Sequence, residues 1–256
     1  MNNTLSNGLD LLLILASSAK PYQLSEIANQ INLPKSHVHR LLQTLIEHQY
    51  VEQASQRRYQ IGIGALRLGH ALLSQIPIRQ YALPIMQKAV QSIKRPLTLA
   101  LPFGHEGITV VYVTHDGIVR DTLDSLGSVL NSYSSACGKL FFAFMKRSPR
   151  EELLKDMIFE KRGPNTHMTI SSLKKDLNEI KRKEISISFL ENGQDVVAMA
   201  LPVKNDEGIV VAALGLSDCE KDFPKSKYKS VINQLQKNVK IIEKFYAKEP
   251  SYVTSN

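Results

Sequence analysis

One short stretch constrains this chain more than any other. Over residues 34–49 the apolar side chains Val38, Leu41, Leu42, Leu45 and Ile46 recur every three or four positions, while Lys35, Ser36, His37, His39, Arg40, Gln43 and Thr44 fill the opposite side. That spacing predicts an amphipathic helix with one side to bury and one to offer. Pro34 suits a first helical position, where no intrahelical N–H bond is lost. Upstream, Ser25 is placed as the N-cap of a short helix with Glu26 at its positive start, inner face Ile27, Ala28 and Ile31, and a turn at Asn32-Leu33. Before it, residues 6–18 carry Leu5, Leu9, Leu12, Leu13 and Ala16 at helical spacing and stop ahead of Lys20-Pro21. Downstream, Tyr50-Val51-Glu52 and Arg58-Tyr59-Gln60-Ile61 read as extended pieces joined by a polar turn at Ala54-Ser55-Gln56. Three helices followed by a hairpin make a winged helix-turn-helix.

The remaining chain is longer and mixed. Residues 64–75 predict a connecting helix from Leu66, Leu68, Leu72 and Leu73, closed by Pro77. A helix over 81–93 then leads into strand-like runs at 97–101, 107–114, 196–203 and 209–217, with helices at 136–145, 150–158 and 171–184. Ser148-Pro149-x-Glu151 has the form of a capping box. The last helix is expected from Tyr228 to about Lys248, with Val231, Ile232, Leu235, Val239 and Ile242 on one face. This order implies an α+β fold with an antiparallel sheet. The expected organisation is a DNA-binding domain at 1–62, a linking helix at 63–77 and a second domain at 78–256.

Composition narrows the classes. Apolar residues at 43% and charged ones at 22% are globular rather than disordered values. No apolar run exceeds six residues, the length of the one at 11–16, which is too short to span a bilayer, and no Lys or Arg precedes Lys20, which speaks against a secretory leader. Two cysteines form no disulfide framework, so a reducing cytoplasm is expected, with no membrane partner. The net charge of +8 suggests a polyanionic partner, yet residues 1–75 hold six basic and four acidic side chains, leaving 26 basic and 20 acidic groups for the rest. Most of the excess lies outside the segment assigned to nucleic acid.

In a helix-turn-helix the second helix enters the major groove with its N-terminal residues at the base edges. Lys35 and Arg40 suit phosphates; Ser36, His37 and His39 can bond bases or backbone, and Gln43 an adenine edge. Arg57 and Arg58 suit flanking phosphates or the minor groove. With Ser25 and Thr44, these residues are the expected contact set for double-stranded DNA.

The same residues resemble a known family, the IclR-type transcription regulators. Leu24-Ser25-Glu26-Ile27-Ala28, Leu33-Pro34-Lys35-Ser36-His37-Val38-His39-Arg40-Leu41-Leu42-x-Thr44-Leu45, Tyr50-Val51 and Tyr59-x-Ile61-Gly62 match its DNA-binding domain in order. The match extends through Leu66-x-Leu68-Gly69, Ser134-Ser135-Ala136-Cys137-Gly138-Lys139, Thr169-Ile170, Glu191 and Ala200-Leu201-Pro202-Val203. The resemblance implies a GAF-like effector domain, an antiparallel sheet flanked by helices that binds a small organic or aromatic acid. It also implies dimers or tetramers on palindromic operators, joined partly through the connecting helix. Carried over by motif, the effector residues are Ala136, Cys137, Gly138, Ser188, Glu191 and Ala198. His37 stands where a threonine is usual, the hairpin tip lacks glycine, and Asp195 replaces a common glycine.

Rival chemistry is weaker. Cys137-Gly138-Lys139 at a helix start can cradle a carboxylate with backbone N–H groups; alternatively the small residues serve close packing and Lys139 is solvated. A P-loop is excluded, because Tyr133 stands five positions before Gly138 and Leu140 follows Lys139. His37 and His39 lack the spacing and company of metal ligands, and no cofactor is expected. The basic run Lys181-Arg182-Lys183 closes a helix with Glu179 at i, i+4 to Lys183, which suits a solvated face. No nucleophile has a matched base, so no catalytic residue is assigned. An enzyme acting on a small acid with Cys137 as nucleophile, and a winged helix used for protein contact, are the alternatives.

Overall fold

The computed structural model describes residues 2–122 and 125–246. The chain divides into two compact units, Met1–Ile76 and Pro77–Asn256.

In the first unit, α1 (Asn3–Ala16) begins earlier than the leucine spacing suggests, because the Asn2 side chain accepts the N–H groups of Thr4 and Leu5 at 3.1 and 3.2 Å. Then follow β1 (Tyr22–Gln23), α2 (Leu24–Ile31) and α3 (Lys35–Glu47). Ser25 is not the cap of α2. That place is held by Gln23, whose N–H donates to the Glu26 carboxylate at 2.6 Å. Asn32 turns the chain in the left-handed conformation at φ 53°, and Pro34 caps α3 rather than opening it, its carbonyl accepting from His37 and Val38. β2 (Val51–Ala54) and β3 (Arg58–Ile61) form the wing, and β1 pairs with β3 to give an antiparallel sheet ordered β1-β3-β2. The wing tip turns through Gln56 and Arg57, both near φ +56° without glycine. α4 (Gly64–Ser74) completes the unit.

Leu11, Leu15, Ile27, Val38, Leu42 and Val51 form the buried centre of this unit. Each contributes roughly 1.5–3 kcal/mol by leaving water. The leucine spacing of α1 therefore conceals two faces. Leu11 and Leu15 face the core, while Leu5, Leu9 and Leu13 remain more than half exposed. On α4, Leu66, Leu68 and Leu72 are equally bare.

The second unit opens with α5 (Pro77–Ile93); Pro77 starts this helix instead of ending the previous one. β4 (Leu97–Phe103), β5 (Glu106–Val113), β6 (Val129–Leu130), β7 (Ser186–Phe189), β8 (Val196–Lys204) and β9 (Val210–Cys219) build one antiparallel sheet ordered β6-β5-β4-β9-β8-β7. Between them run α6 (Ala136–Phe144), α7 (Arg147–Lys155) and α8 (Ile170–Lys183), and α9 (Tyr228–Tyr246) closes the order. The expected end of that last helix, residues 247–248, lies outside the described residues. The capping box at Ser148 does not form: Lys146 caps α7, and Glu151 pairs instead with Lys174 at 2.6 Å. Thr169 caps α8 through its hydroxyl, and Glu179 meets Lys183 at 2.7 Å as the spacing predicts.

Side-chain alternation gives the sheet two unlike faces. Leu97, Leu99, Val197, Met199, Leu214 and Leu216 share one side, which α5 and α9 cover. The other side, under α6 with α8 packed against that helix, is built from small residues: Ser186 pairs with Ala200 and Ala200 with Gly215, while Ser188 pairs with Ala198 and Ala198 with Ser217. α6 can therefore lie close to the strands.

Candidate nucleic-acid interface and effector site

α3 carries Val38, Leu41 and Leu42 inward, so Lys35, Ser36, His39, Arg40, Gln43 and Thr44 stand exposed on its outer side. The Thr44 hydroxyl donates back to the Arg40 carbonyl at 3.3 Å. His37 is half-buried, and its Nε2 is enclosed without a hydrogen-bond partner. Ser25 is half-buried in the first turn of α2. The two wing arginines part company. Arg57 is exposed at the tip, whereas Arg58 turns inward, donating to the Pro21 carbonyl at 2.9 Å and meeting Glu26 at 3.5 Å. Arg58 thus clasps the wing to the start of α2, a tie between residues 32 and 37 positions apart.

The six residues expected at the effector site gather around the N-terminus of α6. Ser135 caps this helix, accepting from the Gly138 N–H at 3.0 Å and donating to the Asn131 carbonyl at 2.8 Å. Gly138 is required by a backbone crossing: a Cβ there would lie 2.1 Å from the Asn131 carbonyl oxygen. Ala136 and Cys137 are buried, and among the described residues their N–H groups meet no acceptor. Cys137 Sγ sits against Gly215, where a Cβ would approach it to 2.8 Å. Burial pushes this thiol up to about 12, so it carries no thiolate near neutral pH, and the helix start does not activate it. Ser188 is fully buried with its hydroxyl donating to the Ser134 carbonyl at 2.7 Å, and half-buried Ala198 lies opposite it on β8.

Lys139 is the largest departure from expectation. Its side chain is 0% exposed rather than solvated, and its ammonium lies 2.7 Å from Asp176, 2.6 Å from Glu191 and 2.9 Å from the Ile187 carbonyl. Glu191 is thereby committed to an ion pair. Burial holds its carboxyl above the ordinary range, with the Lys139 charge opposing. Burial pushes Asp176 the same way, but the bond from His167 and the Lys139 charge outweigh it and leave that carboxyl low. His167, Asp176 and Glu191 bring ligand atoms within 4.8 Å of one another, the spacing of a metal site. Here the lysine ammonium already supplies the positive charge among them. The sequence held one sign of this: α6 reads Ala-Cys-Gly-Lys-Leu-Phe-Phe-Ala-Phe, apolar all round except for its lysine. Its partners, 37 and 52 positions on, carry no local mark.

A cavity of about 470 Å³ opens beside the same segment, lined by Ser132, Tyr133, His105, Glu106, Leu153 and Met157 among others. Its wall lies one turn before the residues the motif singles out. Tyr133 is held there by its hydroxyl, which accepts from Arg162 Nε at 3.1 Å.

Residues 4–55 match the family described as IclR helix-turn-helix domain, and residues 70–244 match Bacterial transcriptional regulator IclR C-terminal. The chain is 25% identical over 234 residues to the HTH-type transcriptional regulator XynR of Escherichia coli, covering 91% of this chain and 92% of that one. It is 28% identical over 217 residues to the HTH-type transcriptional repressor AllR of Klebsiella pneumoniae, covering 83% and 78%. Among solved structures, an IclR family transcriptional regulator from Brucella abortus aligns with TM-score 0.79 and 26% identity over 98% of this chain and 93% of that one. An IclR homolog from Microbacterium hydrocarbonoxydans, complexed with 4-hydroxybenzoate, aligns with TM-score 0.77 at 20% identity over 96% and 100%. With both of its units matched in order, the chain belongs to the IclR-type transcriptional regulators.

Proposed function

We propose that this chain is a homodimeric, cytoplasmic transcription regulator that binds a palindromic operator through α3 and the wing, and whose affinity for DNA is set by a small organic or aromatic acid. The observation that carries the reading is the division of α3: the apolar stripe is sealed while Lys35, Ser36, His39, Arg40, Gln43 and Thr44 face outward. Arg57 at the wing tip adds a flanking cation; Ser25, His37 and Arg58 take lesser parts. Two such helices, about 34 Å apart, would enter successive major grooves. The bare leucines of α1 and α4 support self-association, because apolar faces of that kind on a soluble protein mark contact surfaces. Whether a tetramer forms from such dimers is a separate step.

For the effector, the N–H groups of Ala136 and Cys137 at the positive end of α6 suit a carboxylate. Gly138, Ser188, Glu191 and Ala198 shape the surroundings, and a relative with bound 4-hydroxybenzoate supports the chemical class. A ligand acts only by its difference in affinity between two arrangements, typically about 1–3 kcal/mol of coupling. The rival reading, chemistry at Cys137, is disfavoured by its raised thiol pKa and its seat on Gly215.

The test is selection of fragments from random DNA by the full-length protein. Enrichment of an inverted repeat is the expected result. Failure to enrich any sequence would favour a winged helix used for protein contact. A thermal-shift screen of small carboxylates then identifies the effector class, since binding to the folded state raises its apparent stability.

A further inference from the structure

The excess positive charge outside the DNA-binding unit has a definite address. α5 and α9 lie side by side on one face of the sheet. Together they hold six basic residues, Arg79, Lys88, Lys229, Lys237, Lys240 and Lys244, against the single acidic Glu243. Two of these charges are used internally: Arg79 donates to the Val110 carbonyl at 3.1 Å, and Glu243 accepts the Lys204 N–H at 2.8 Å. The five lysines are exposed, and none forms an ion pair among the described residues.

Along the seam between the two helices runs a groove of about 780 Å³, with Tyr81, Pro84, Ile85 and Ala89 on the α5 side and Ile241 and Phe245 on the α9 side. The Tyr81 and Phe245 rings stack at 6.3 Å across it. On α9, three stripes run in parallel. Val239, Ile242 and Tyr246 are buried; Asn238, Ile241 and Phe245, one position earlier, line the groove; Lys237, Lys240 and Lys244, one earlier again, are exposed on the next face of the helix. At about 100° per residue, core, groove and lysine row follow one another around the helix. Lys88 lines the groove itself, among the α5 residues.

We propose that this groove docks an acidic amphipathic helix from a partner protein. From Tyr81 to Ser92 the seam is about 16 Å long at about 1.5 Å per residue, enough for three turns of a third helix presenting anchors at i, i+3 or i+4, and i+7. Apolar anchors fill the floor, and carboxylates on the flanks meet the lysine row. A second copy of this chain fits poorly: a two-fold pairing of this face sets each lysine row against either the other row or α5, and the only acid on these two helices, Glu243, is engaged by the Lys204 N–H. DNA would use the lysines and leave the apolar floor unfilled.

The probe is a fluorescein-labelled helical peptide of about 15 residues with leucines at i, i+3, i+7 and glutamates between, titrated with the full-length protein and read by anisotropy. The control peptide replaces each glutamate by lysine. The expected result is saturable binding of the acidic peptide only. It weakens at least tenfold in Ile241→Asp, and in the triple variant Lys237→Glu, Lys240→Glu, Lys244→Glu the preference reverses toward the basic peptide. This reversal is a gain that misfolding cannot imitate. Equal binding, or no binding, by wild type and triple variant overturns the proposal. So does a change of assembly state in the triple variant by sedimentation, which would make the face a self-contact. A fall in its affinity for DNA would assign the lysines to nucleic acid and overturn it equally.

Discussion

Replacing Lys139 by methionine keeps most of the side-chain volume and deletes one buried charge. The lysine is wholly enclosed, while Asp176 and Glu191 are 28% and 10% exposed at the side chain, so water cannot take over the role of the cation at Glu191. Removing one member of a buried ion pair typically costs about 3–5 kcal/mol, since the remaining charge is stranded. Methionine adds little cavity penalty. The loss has a pH signature. Burial already raises the Glu191 carboxyl, and without the lysine that burial acts unopposed by its nearest positive charge. A carboxyl whose folded pKa exceeds its unfolded value destabilises when ionised, and the penalty is relieved as pH falls through the folded pKa. Lys139→Met should therefore lose about 3–5 kcal/mol at pH 7.5 and clearly less at pH 5, measured by urea unfolding against wild type at each pH. Adding Glu191→Gln should recover about 1–3 kcal/mol at pH 7.5. A deficit below about 1 kcal/mol, or one of equal size at both pH values, would refute the reasoning.

Three further outcomes follow from other sites. Arg40→Ala should weaken DNA binding without reordering sequence preference and flatten the slope of log affinity against log salt by about 1 in fluorescence titrations; an unchanged slope removes Arg40 from the phosphate contacts. Arg58→Met should instead lower the stability of the winged unit by about 1 kcal/mol in chemical denaturation, because it opens the clasp onto Pro21 and Glu26. Replacing Gln56-Arg57 by Asn-Gly relieves two left-handed residues at the wing tip and should raise stability by about 0.5–1 kcal/mol, read as a higher thermal midpoint.

The candidate site was only half legible. α3 could be read because a helix core stripe is a local periodicity: Val38, Leu41 and Leu42 are spaced so that burial of one predicts burial of the next. Spacing in α1 misled in part, since a helix rich in leucine satisfies more than one stripe, and the pair that meets the core, Leu11 and Leu15, is not the one the repeat picks out. β7 escaped notice because Ser186-Ile187-Ser188-Phe189 is a short edge strand whose serines read as loop. These serines are inward-facing, made strand-like only by pairing with β8.

By itself, then, the order of residues determined the winged helix-turn-helix, the mixed second domain with its antiparallel strands, and the outward side of α3. All are set by hydrophobic periods and turn residues within a few positions of one another. Tertiary structure alone decided that Lys139 is a buried cation, that Arg58 turns inward and Arg57 outward, that Cys137 rests on Gly215 as an inert thiol, and that the face of α9 next to its lysines lines a groove. Each depends on a partner supplied by a distant element, and burial, which governs the charge and reactivity of a side chain, belongs to the packed molecule and leaves no mark on the neighbouring sequence.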